Sequence, residues 1–299
     1  MKKNVDIPYS LDTLWQSIIR PQKEKYELKD LGFNEFNIYG RNYTRKDYKI
    51  IGHSGNILQC SFYENEQSRH DCESLPVVIF CHGNSSCQKE IKLYLDKVLN
   101  ENINIFAFDF SGCGKSEGKY ISLGYYEKED LKIIVDFVYK IPNVHSIGLW
   151  GHSMGAATII LYAAKDPRIS CICVDSPFYD LNILLKEVSE KYITIPNFIF
   201  SSAHSMVKKM VFNRNKLDID KLKPIEQVSK IGIPTLFIHA KEDELIHSDH
   251  SLKLYEACGS FFKFINICEG EHNSIRPDNI INKIIDFFKS YLFKDKIIV

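Results

Sequence analysis

A sharp turn between two largely apolar runs constrains the fold of this chain more than any other stretch. Residues 151–155 read Gly-His-Ser-Met-Gly, between the runs 146–150 and 156–160. This order predicts a strand that enters a helix through one tight turn, with Ser153 at its apex. Glycine on both sides lets strand and helix pass closely, since a side chain there would collide with the turn. The pattern predicts a nucleophile elbow, but five residues also arise by chance, so the rest of the chain must supply partners for Ser153.

Short β-rich runs alternate with helical patterns through most of the chain. Residues 43–51 and 57–63 predict an antiparallel hairpin. Six further runs predict strands, at 77–81, 103–108, 146–150, 170–174, 235–238 and 262–268. Helical stripes lie between and after them, at Leu131, Ile134, Val135 and Val138 and at Ile281, Ile284, Ile285, Phe288 and Leu292. This alternation predicts an α/β fold with a mostly parallel central sheet and helices on both faces.

The 299 residues allow one domain with additions. We expect an N-terminal helical extension over residues 1–40, because five apolar residues have helical spacing there: Leu11, Leu14, Trp15, Ile18 and Ile19. The main domain is expected over residues 41–299. The connection from Asp175 to Ile233 is too long for the strand–helix rhythm. It predicts a small lid insertion at about 176–230, since long insertions in compact domains usually form lids or functional loops.

Charge and cysteine content exclude several classes of protein. The 38 basic and 38 acidic residues cancel, which argues against nucleic acid or an acidic membrane as a partner recognised by bulk charge. Nine scattered cysteines without a Cys-x-x-Cys pair predict small apolar residues in a reducing compartment. Cys171 and Cys173 fit alternation on a strand better than metal chelation. No run approaches about 18 apolar residues and no signal peptide is evident, so we expect a cytoplasmic protein without a transmembrane segment.

A serine nucleophile needs a histidine that takes its proton and a carboxylate that orients the histidine. On a sheet of this kind these partners follow the serine, in the order acid then histidine, on loops after later strands. The strand 235–238 leads into an acidic loop, where Asp243 is our predicted carboxylate. Its rivals are Glu242 and Glu244, which flank it, and Asp175, which ends the preceding strand.

The strand 262–268 is followed by His272, which is our predicted base. Three other histidines compete with it. His239 lies inside a predicted strand, so a packed and hydrogen-bonded role is expected. His247 and His250 precede a predicted helix and suit surface or capping roles.

The oxyanion of an acyl-transfer reaction needs backbone N–H donors. The strand 77–81 ends in a His-Gly-Asn turn, from which the N–H of Asn84 is predicted to point at the same position as the N–H of Met154. His82 itself is expected to be a structural hydrogen-bonding residue of this turn.

Gly114-Lys115-Ser116 matches the end of a phosphate-binding loop, but Asp109 stands where that pattern requires glycine. A structural loop is therefore predicted. We expect neither an organic cofactor nor a metal, because the predicted chemistry needs none.

The His-Gly-Asn turn at 82–84, the loop 109–118, the elbow at Ser153, and Asp243 and His272 together resemble the α/β-hydrolase superfamily from about residue 40 onward. Further stretches, at 175–178, 237–246 and 272–274, are similar to the serine-hydrolase branch that contains BEM46-like proteins and protein depalmitoylases. The resemblance implies an α/β-hydrolase fold. It also implies a triad of Ser153, Asp243 and His272, with Asn84 and Met154 at the oxyanion positions.

We therefore expect a serine hydrolase that cleaves carboxylic ester or thioester bonds through an acyl-enzyme on Ser153. Its substrate would be a small molecule, a lipid or an acylated molecule, and no nucleic acid is expected as a partner. Phe178 and Tyr179 of the lid are predicted to contact substrate, although apolar lid residues suit packing on the body equally well. A serine peptidase or amidase with the same triad and a non-catalytic binding protein stay open as alternatives.

Overall fold

The computed structural model describes residues 16, 18–20, 22–67, 74–192 and 197–293, and for residues 192 and 197–204 it describes the backbone alone. Strands of this part of the chain form one nine-stranded sheet. The strands are β1 (Glu35–Ile38), β2 (Arg41–Ile51), β3 (Ile57–Asn65), β4 (Leu75–Cys81), β5 (Asn104–Phe108), β6 (Val144–His152), β7 (Ile169–Asp175), β8 (Thr235–Ala240) and β9 (Lys263–Cys268).

The order of strands across the sheet is β1-β2-β3-β5-β4-β6-β7-β8-β9. Neighbours from β5 through β9 pair in parallel, whereas β1, β2 and β3 pair antiparallel at one edge. The chain passes from β4 to β5 on one side and then to β6 on the other. Loops after β4 and β6 therefore diverge at the carboxyl edge and leave a crevice, which is where ligands bind in open α/β sheets. The predicted mostly parallel sheet is confirmed.

Helices cover both faces of the sheet. The α-helices are α1 (Leu95–Asn100), α2 (Glu127–Val138), α3 (Met154–Ala163), α4 (Leu181–Tyr192), α5 (Asn197–Asn215), α6 (Ile225–Val228), α7 (Asp249–Ala257) and α8 (Asp278–Leu292). Within the described residues, three 3₁₀ helices span Leu28–Leu31, Gln88–Leu93 and Ile219–Lys221.

Alternation along the central strands separates two buried layers. Val77 and Ile79 of β4 face a core that contains the apolar sides of α2 and α3. Val78 and Phe80 face a second core, beneath α1 and α8. Because both faces are covered, β4 is apolar at every position and its neighbours are mostly so, as parallel strands usually are. Burying each such side chain contributes about 1.5–3 kcal/mol, so the strand ends that carry the site rest on a rigid base.

Two predicted boundaries, those of the lid insertion and of the N-terminal extension, can be compared with the structure. The connection between β7 and β8 contains α4, α5 and α6, within the predicted lid at 176–230. At the N-terminus, Ile19 is buried and its carbonyl accepts from the N–H of Ile121, at 2.9 Å. Of the residues that predict a helical extension, Leu11, Leu14 and Trp15 lie outside the described residues. The strand β1 precedes residue 41 and pairs with β2, so residues before the predicted domain boundary contribute to the same sheet.

Candidate active site

Ser153 lies at the turn between β6 and α3, with φ of 53° and ψ of −115°. L-residues rarely adopt this left-handed region, so the surrounding structure must hold the strain. A Cβ on Gly155 would lie 2.0 Å from the backbone oxygen of Cys81, and one on Gly151 would lie 2.6 Å from the carbonyl carbon of Gly155. Both flanking positions therefore admit only glycine without movement of the backbone. The serine side chain projects from a turn that strand, helix and neighbouring strand all constrain.

Three side chains from three loops form one hydrogen-bonded series at the carboxyl edge of the sheet. Ser153 Oγ lies 2.9 Å from His272 Nε2, and His272 Nδ1 lies 2.6 Å from Asp243 Oδ2. The other carboxylate oxygen, Asp243 Oδ1, accepts from the N–H groups of Leu245 and Ile246 at 2.9 and 2.8 Å. These contacts fix the carboxylate, which fixes the imidazole, which in turn faces the serine.

Asp243 is ionised at neutral pH. Burial alone would raise its pKa, but hydrogen bonds from His239 and His272 hold the pKa well below its usual range. The second histidine in this environment was not predicted. His239 Nε2 donates to the backbone oxygen of Ile246 at 2.7 Å and lies 3.3 Å from Asp243 Oδ2. His239 is thus a buried residue that stabilises the acidic loop.

The rival carboxylates have other partners. Glu242 accepts from the backbone N–H of Gly270 at 2.6 Å, and Glu244 pairs with Lys191. Asp175 pairs with Arg276. Among the four candidates, Asp243 is the one whose carboxylate contacts His272 in the described structure.

The rival histidines also have other environments. His247 is exposed. His250 is buried, where its Nδ1 accepts from the N–H of Tyr179 and its Nε2 lies 2.7 Å from a Glu187 oxygen. Neither ring lies among the residues that line the cavity at Ser153. His82 has the expected structural contacts, since its Nδ1 is 2.7 Å from the Gly83 oxygen and its Nε2 accepts from the N–H of Phe110.

A second Ser–His–Asp series lies on the protein surface. Ser54 Oγ is 2.7 Å from His53 Nε2, and His53 Nδ1 is 2.9 Å from Asp130 Oδ1. Ser54 is exposed in a turn, and it is not among the residues with positive φ. Neither Ser54 nor His53 lines one of the described cavities. Geometry of three side chains alone therefore does not distinguish the site; the elbow and the cavity do.

The predicted oxyanion donors lie on both sides of Ser153. Met154 is the first residue of α3, and N–H groups in a first helical turn have no partner within the helix. Asn84 lies in the turn after β4 and lines the cavity that also contains Ser153. A Cβ on the adjacent Gly83 would lie 3.6 Å from Ser153 Cβ, so this turn passes directly beside the serine.

A cavity of about 490 Å³ opens beside Ser153, within the usual size range of small-molecule sites. Its lining is mixed, with Leu93, Tyr94, Trp150 and Leu245 as apolar members and Glu24, Glu90, His152, Asp175 and Arg276 as charged or ionisable ones. Phe178 and Tyr179, the predicted substrate contacts, do not line it. Phe178 is buried in the core beneath α3, and Tyr179 lines a separate depression next to His250. No described residue of the predicted lid at 176–230 lines this cavity.

Two charged pairs at this cavity were not predicted from the sequence. Asp175 and Arg276 form one, and Glu90 and His152 form the other. The members of each pair are far apart along the chain, and no motif links them to each other. The one available signal was the ionisable side chain of His152, directly before Ser153. This signal does not identify Glu90 as the partner.

The loop after β5 is structural, as predicted. The Asp109 carboxylate accepts from the backbone N–H groups of Gln88 and Lys115 at 2.7 and 2.8 Å and from the Tyr26 hydroxyl at 2.7 Å. A Cβ on Gly114 would lie 2.3 Å from this carboxylate. The side chain of Asp109 thus holds the loop in place through hydrogen bonds to the backbone.

Metal ligation and membrane insertion have no support in the described part of the chain. No group of three or more His, Cys, Asp or Glu side chains there is arranged to hold a metal ion. The eight cysteines in this part are free thiols in buried positions, including Cys171 and Cys173 of β7. None of its helices combines the length and the apolar character that spanning a bilayer requires.

Comparison with known proteins gives a family and a fold. A family model described as "Serine aminopeptidase, S33" matches residues 73–223. The chain is 29% identical over 182 residues to YqkD of Bacillus subtilis, which covers 60% of this chain and 59% of that protein. It is 25% identical over 262 residues to YfhR of Escherichia coli, which covers 85% of this chain and 84% of that protein. The chain thus spans less than two thirds of the Bacillus relative and most of the Escherichia one.

The structure of the esterase Pf2001 from Pyrococcus furiosus is similar to this one, with a TM-score of 0.68. The two sequences are 23% identical, and the match covers 91% of this chain and 98% of that one. This likeness is one of fold.

Proposed function

This chain belongs to the serine aminopeptidase S33 family of α/β-hydrolases, and we propose that it hydrolyses carboxylic esters or thioesters through an acyl-enzyme on Ser153. One observation carries the proposal. The series Ser153, His272 and Asp243 is hydrogen-bonded from end to end beside a cavity large enough for a small substrate. That arrangement provides the nucleophile, the base and the orienting anion that acyl transfer requires.

In the acylation step Ser153 Oγ attacks the carbonyl carbon while His272 Nε2 takes the hydroxyl proton. The carbonyl oxygen becomes an oxyanion, which the N–H groups of Asn84 and Met154 stabilise. When the tetrahedral intermediate collapses, His272 returns the proton to the departing alcohol or thiol. Each oxyanion donor contributes on the order of 3 kcal/mol to stabilising the transition state.

In the deacylation step water attacks the acyl-enzyme carbonyl, and His272 takes a proton from the water. Collapse of the second intermediate releases the carboxylic acid and returns the proton to Ser153 Oγ. Asp243 stays ionised throughout and stabilises the imidazolium form of His272 by the 2.6 Å hydrogen bond. No further reactant is consumed.

The lining of the cavity supports a compact substrate in preference to a long acyl chain. Its lining includes Glu90, His152, Asp175 and Arg276, and such ionic groups disfavour burial of an extended hydrocarbon. Leu93 and Leu245 are exposed at the cavity, where they can contact a short apolar group. We therefore propose acyl groups of a few carbons as the preferred substrates.

Amide hydrolysis is the second candidate, because the matching family model is described as a serine aminopeptidase. An aminopeptidase has to bind a protonated amine, for which a free carboxylate is the usual partner. The three carboxylates that line the cavity already have cationic partners in the described structure. Glu24 pairs with Lys89, Glu90 with His152 and Asp175 with Arg276. This pairing supports ester hydrolysis as the first candidate.

A fluorophosphonate probe tests the nucleophile. We expect wild-type protein to be labelled, Ser153→Ala to be unlabelled and Ser54→Ala to be labelled like wild type. Ser54 is the matched control, because its Oγ also faces a histidine that contacts an aspartate. Labelling that survives in Ser153→Ala would remove Ser153 from the mechanism.

A panel of matched substrates tests the chemistry. We expect a p-nitrophenyl butyrate to react faster than the palmitate, and butyryl ester and thioester to react faster than the matching anilide. A higher kcat/KM for an aminoacyl anilide would instead establish the aminopeptidase activity.

A further inference from the structure

The residue directly before Ser153 connects the other two loops of the site. His152 Nδ1 lies 2.7 Å from Glu90 Oε1, and His152 Nε2 lies 3.0 Å from the backbone oxygen of His272. The second oxygen of Glu90 accepts from the backbone N–H of Gly83 at 3.1 Å. One ion pair therefore joins the turn that carries Asn84, the elbow and the loop that carries His272.

Glycine at position 83 permits this contact. A Cβ on Gly83 would lie 3.1 Å from His152 Nδ1, which is tighter than most contacts of a real Cβ. The imidazole ring thus lies directly against the backbone of the turn, and a larger residue would displace one or the other.

Both ring nitrogens of His152 lie close to oxygen atoms that can only accept. Nε2 donates to the His272 carbonyl at 3.0 Å, whereas Nδ1 lies 2.7 Å from the Glu90 carboxylate in a close contact without hydrogen-bond geometry. A neutral imidazole has one N–H, whereas the imidazolium has two. A neutral ring with its proton on Nε2 would set the Nδ1 lone pair against the carboxylate, so both contacts are favourable only when His152 is positively charged.

The surrounding charges favour that state. Burial lowers the pKa of His152, but the negative charges of Glu90 and Asp175 raise it to about 9 against the opposing charge of Arg276. Burial raises the pKa of Glu90, yet its contacts with His152 and Gly83 lower the pKa to about 2. The ring of His272 lies against His152, with the two centroids 5.0 Å apart.

A second Glu–His pair in the same protein shows the contrast. His250 Nε2 is also 2.7 Å from a glutamate oxygen, that of Glu187, but its Nδ1 accepts from the N–H of Tyr179. A neutral ring satisfies both of these contacts. Burial lowers the pKa of His250, although Glu187 opposes the shift.

We propose that the charged Glu90–His152 pair is a positioning element, which holds the Asn84 turn and the His272 loop in place beside Ser153. This role rests on the proposed function of Ser153. When His152 loses its proton, a ring lone pair faces either the Glu90 carboxylate or the His272 oxygen, and two acceptors at these distances repel each other. The turn that carries Asn84 or the loop that carries His272 is then held less firmly, while Arg276 Nη2, at 3.1 Å, still donates to the His272 carbonyl. Reaction at Ser153 then slows as pH rises.

The rate of fluorophosphonate labelling between pH 5.5 and 9.5 tests this role without knowledge of the substrate. Wild type should lose its reactivity with an apparent pKa of about 9. In Glu90→Gln the apparent pKa of this alkaline loss of labelling should move toward the ordinary histidine value of about 6.5. The labelling rate at pH 8.5 should therefore fall by up to roughly 80-fold relative to wild type. Glu187→Gln, which breaks the other Glu–His pair, should lose labelling with the same apparent pKa as wild type. An unchanged apparent pKa in Glu90→Gln would overturn the proposal.

Histidine side-chain NMR in Ser153→Ala provides a measurement independent of reactivity and of the Glu90 variant. His152, assigned from the resonance lost in His152→Gln, should stay charged past pH 8. Titration near pH 6.5 would overturn the proposal even if the enzyme is active. Wild-type protein that is never labelled would instead reject the function of Ser153, while the NMR result would still report the charge of His152.

Discussion

Arg276 and Asp175 form a two-point ion pair that is almost completely buried beneath the His272 loop. Arg276 Nε lies 2.7 Å from Asp175 Oδ2, and Nη2 lies 2.9 Å from Oδ1. The same Nη2 donates to the backbone oxygen of His272 at 3.1 Å. Burial raises the pKa of Asp175, but the guanidinium lowers it below its usual range. The guanidinium therefore links the end of β7 to the backbone of the proposed catalytic histidine.

Arg276→Ala should destabilise the fold strongly, because it leaves Asp175 buried without its cation. We expect a loss of about 3–5 kcal/mol in the free energy of unfolding, measured by urea denaturation at pH 7. Arg41→Ala is the control, since Arg41 is exposed and donates to the backbone oxygen of Asn100 at the end of α1. Its effect should stay below about 1 kcal/mol. Equal losses in both variants would show that the buried pair has no special role.

Asp243→Asn should reduce kcat by about 10⁴-fold, because an amide NH₂ in place of the carboxylate favours the wrong tautomer of His272. The folded state should persist, since Asn can keep the contacts with the backbone N–H groups of Leu245 and Ile246. Steady-state hydrolysis of a p-nitrophenyl ester measures the change. Glu244→Gln, on the same loop but paired with Lys191, should retain wild-type kcat. Similar activity in the two variants would contradict the assignment of Asp243.

Gly155→Ala should prevent normal packing of the elbow. Its Cβ would lie 2.0 Å from the Cys81 oxygen and 2.7 Å from the His82 oxygen, and neither backbone atom can move freely. We expect a destabilisation of at least about 3 kcal/mol, seen as a large drop in Tm or as insoluble protein. A Cβ on Gly232 would meet nothing within 4 Å, so Gly232→Ala is the matched control. It should change stability by less than about 1 kcal/mol.

The charge of His152 should make folding stability depend on pH. Its folded pKa, about 9, lies above the ordinary value of 6.5, so the contribution is complete below pH 6.5 and is lost as pH rises through about 9. The difference in unfolding free energy between wild type and His152→Gln should shrink by at most about 3 kcal/mol between pH 6 and pH 9.5. Urea denaturation at several pH values measures it. A constant difference for His152→Gln would refute the expectation.

Strand positions were predictable because apolar runs with β-branched residues leave a local signal. All six runs predicted after the hairpin correspond to strands of the sheet. The strand β1 was not predicted, since four residues with two polar members have no clear periodicity and are stabilised by pairing with β2. Helical stripes were predictive in the same way, since α2 and α8 lie at the residues where the apolar spacing predicted helices.

The predicted contact residues show a limit of the same method. Phe178 and Tyr179 belong to an apolar segment, and apolar periodicity predicts that such a segment packs against an apolar surface. It does not distinguish a core from a substrate, because both are apolar surfaces. In the structure Phe178 packs in the core, while the cavity at Ser153 is lined by residues of other loops.

The sequence by itself determined that Ser153, an acidic loop and a histidine loop follow successive strands, and hence that they meet at one edge of a parallel sheet. Only the tertiary structure decided which carboxylate faces His272 and which charges surround it. The physical reason is the separation along the chain of the residues that interact. Turn and strand preferences depend on neighbours along the chain, whereas the pairs Glu90–His152 and Asp175–Arg276 exist because folding brings distant residues together in a buried place where each charge needs a partner.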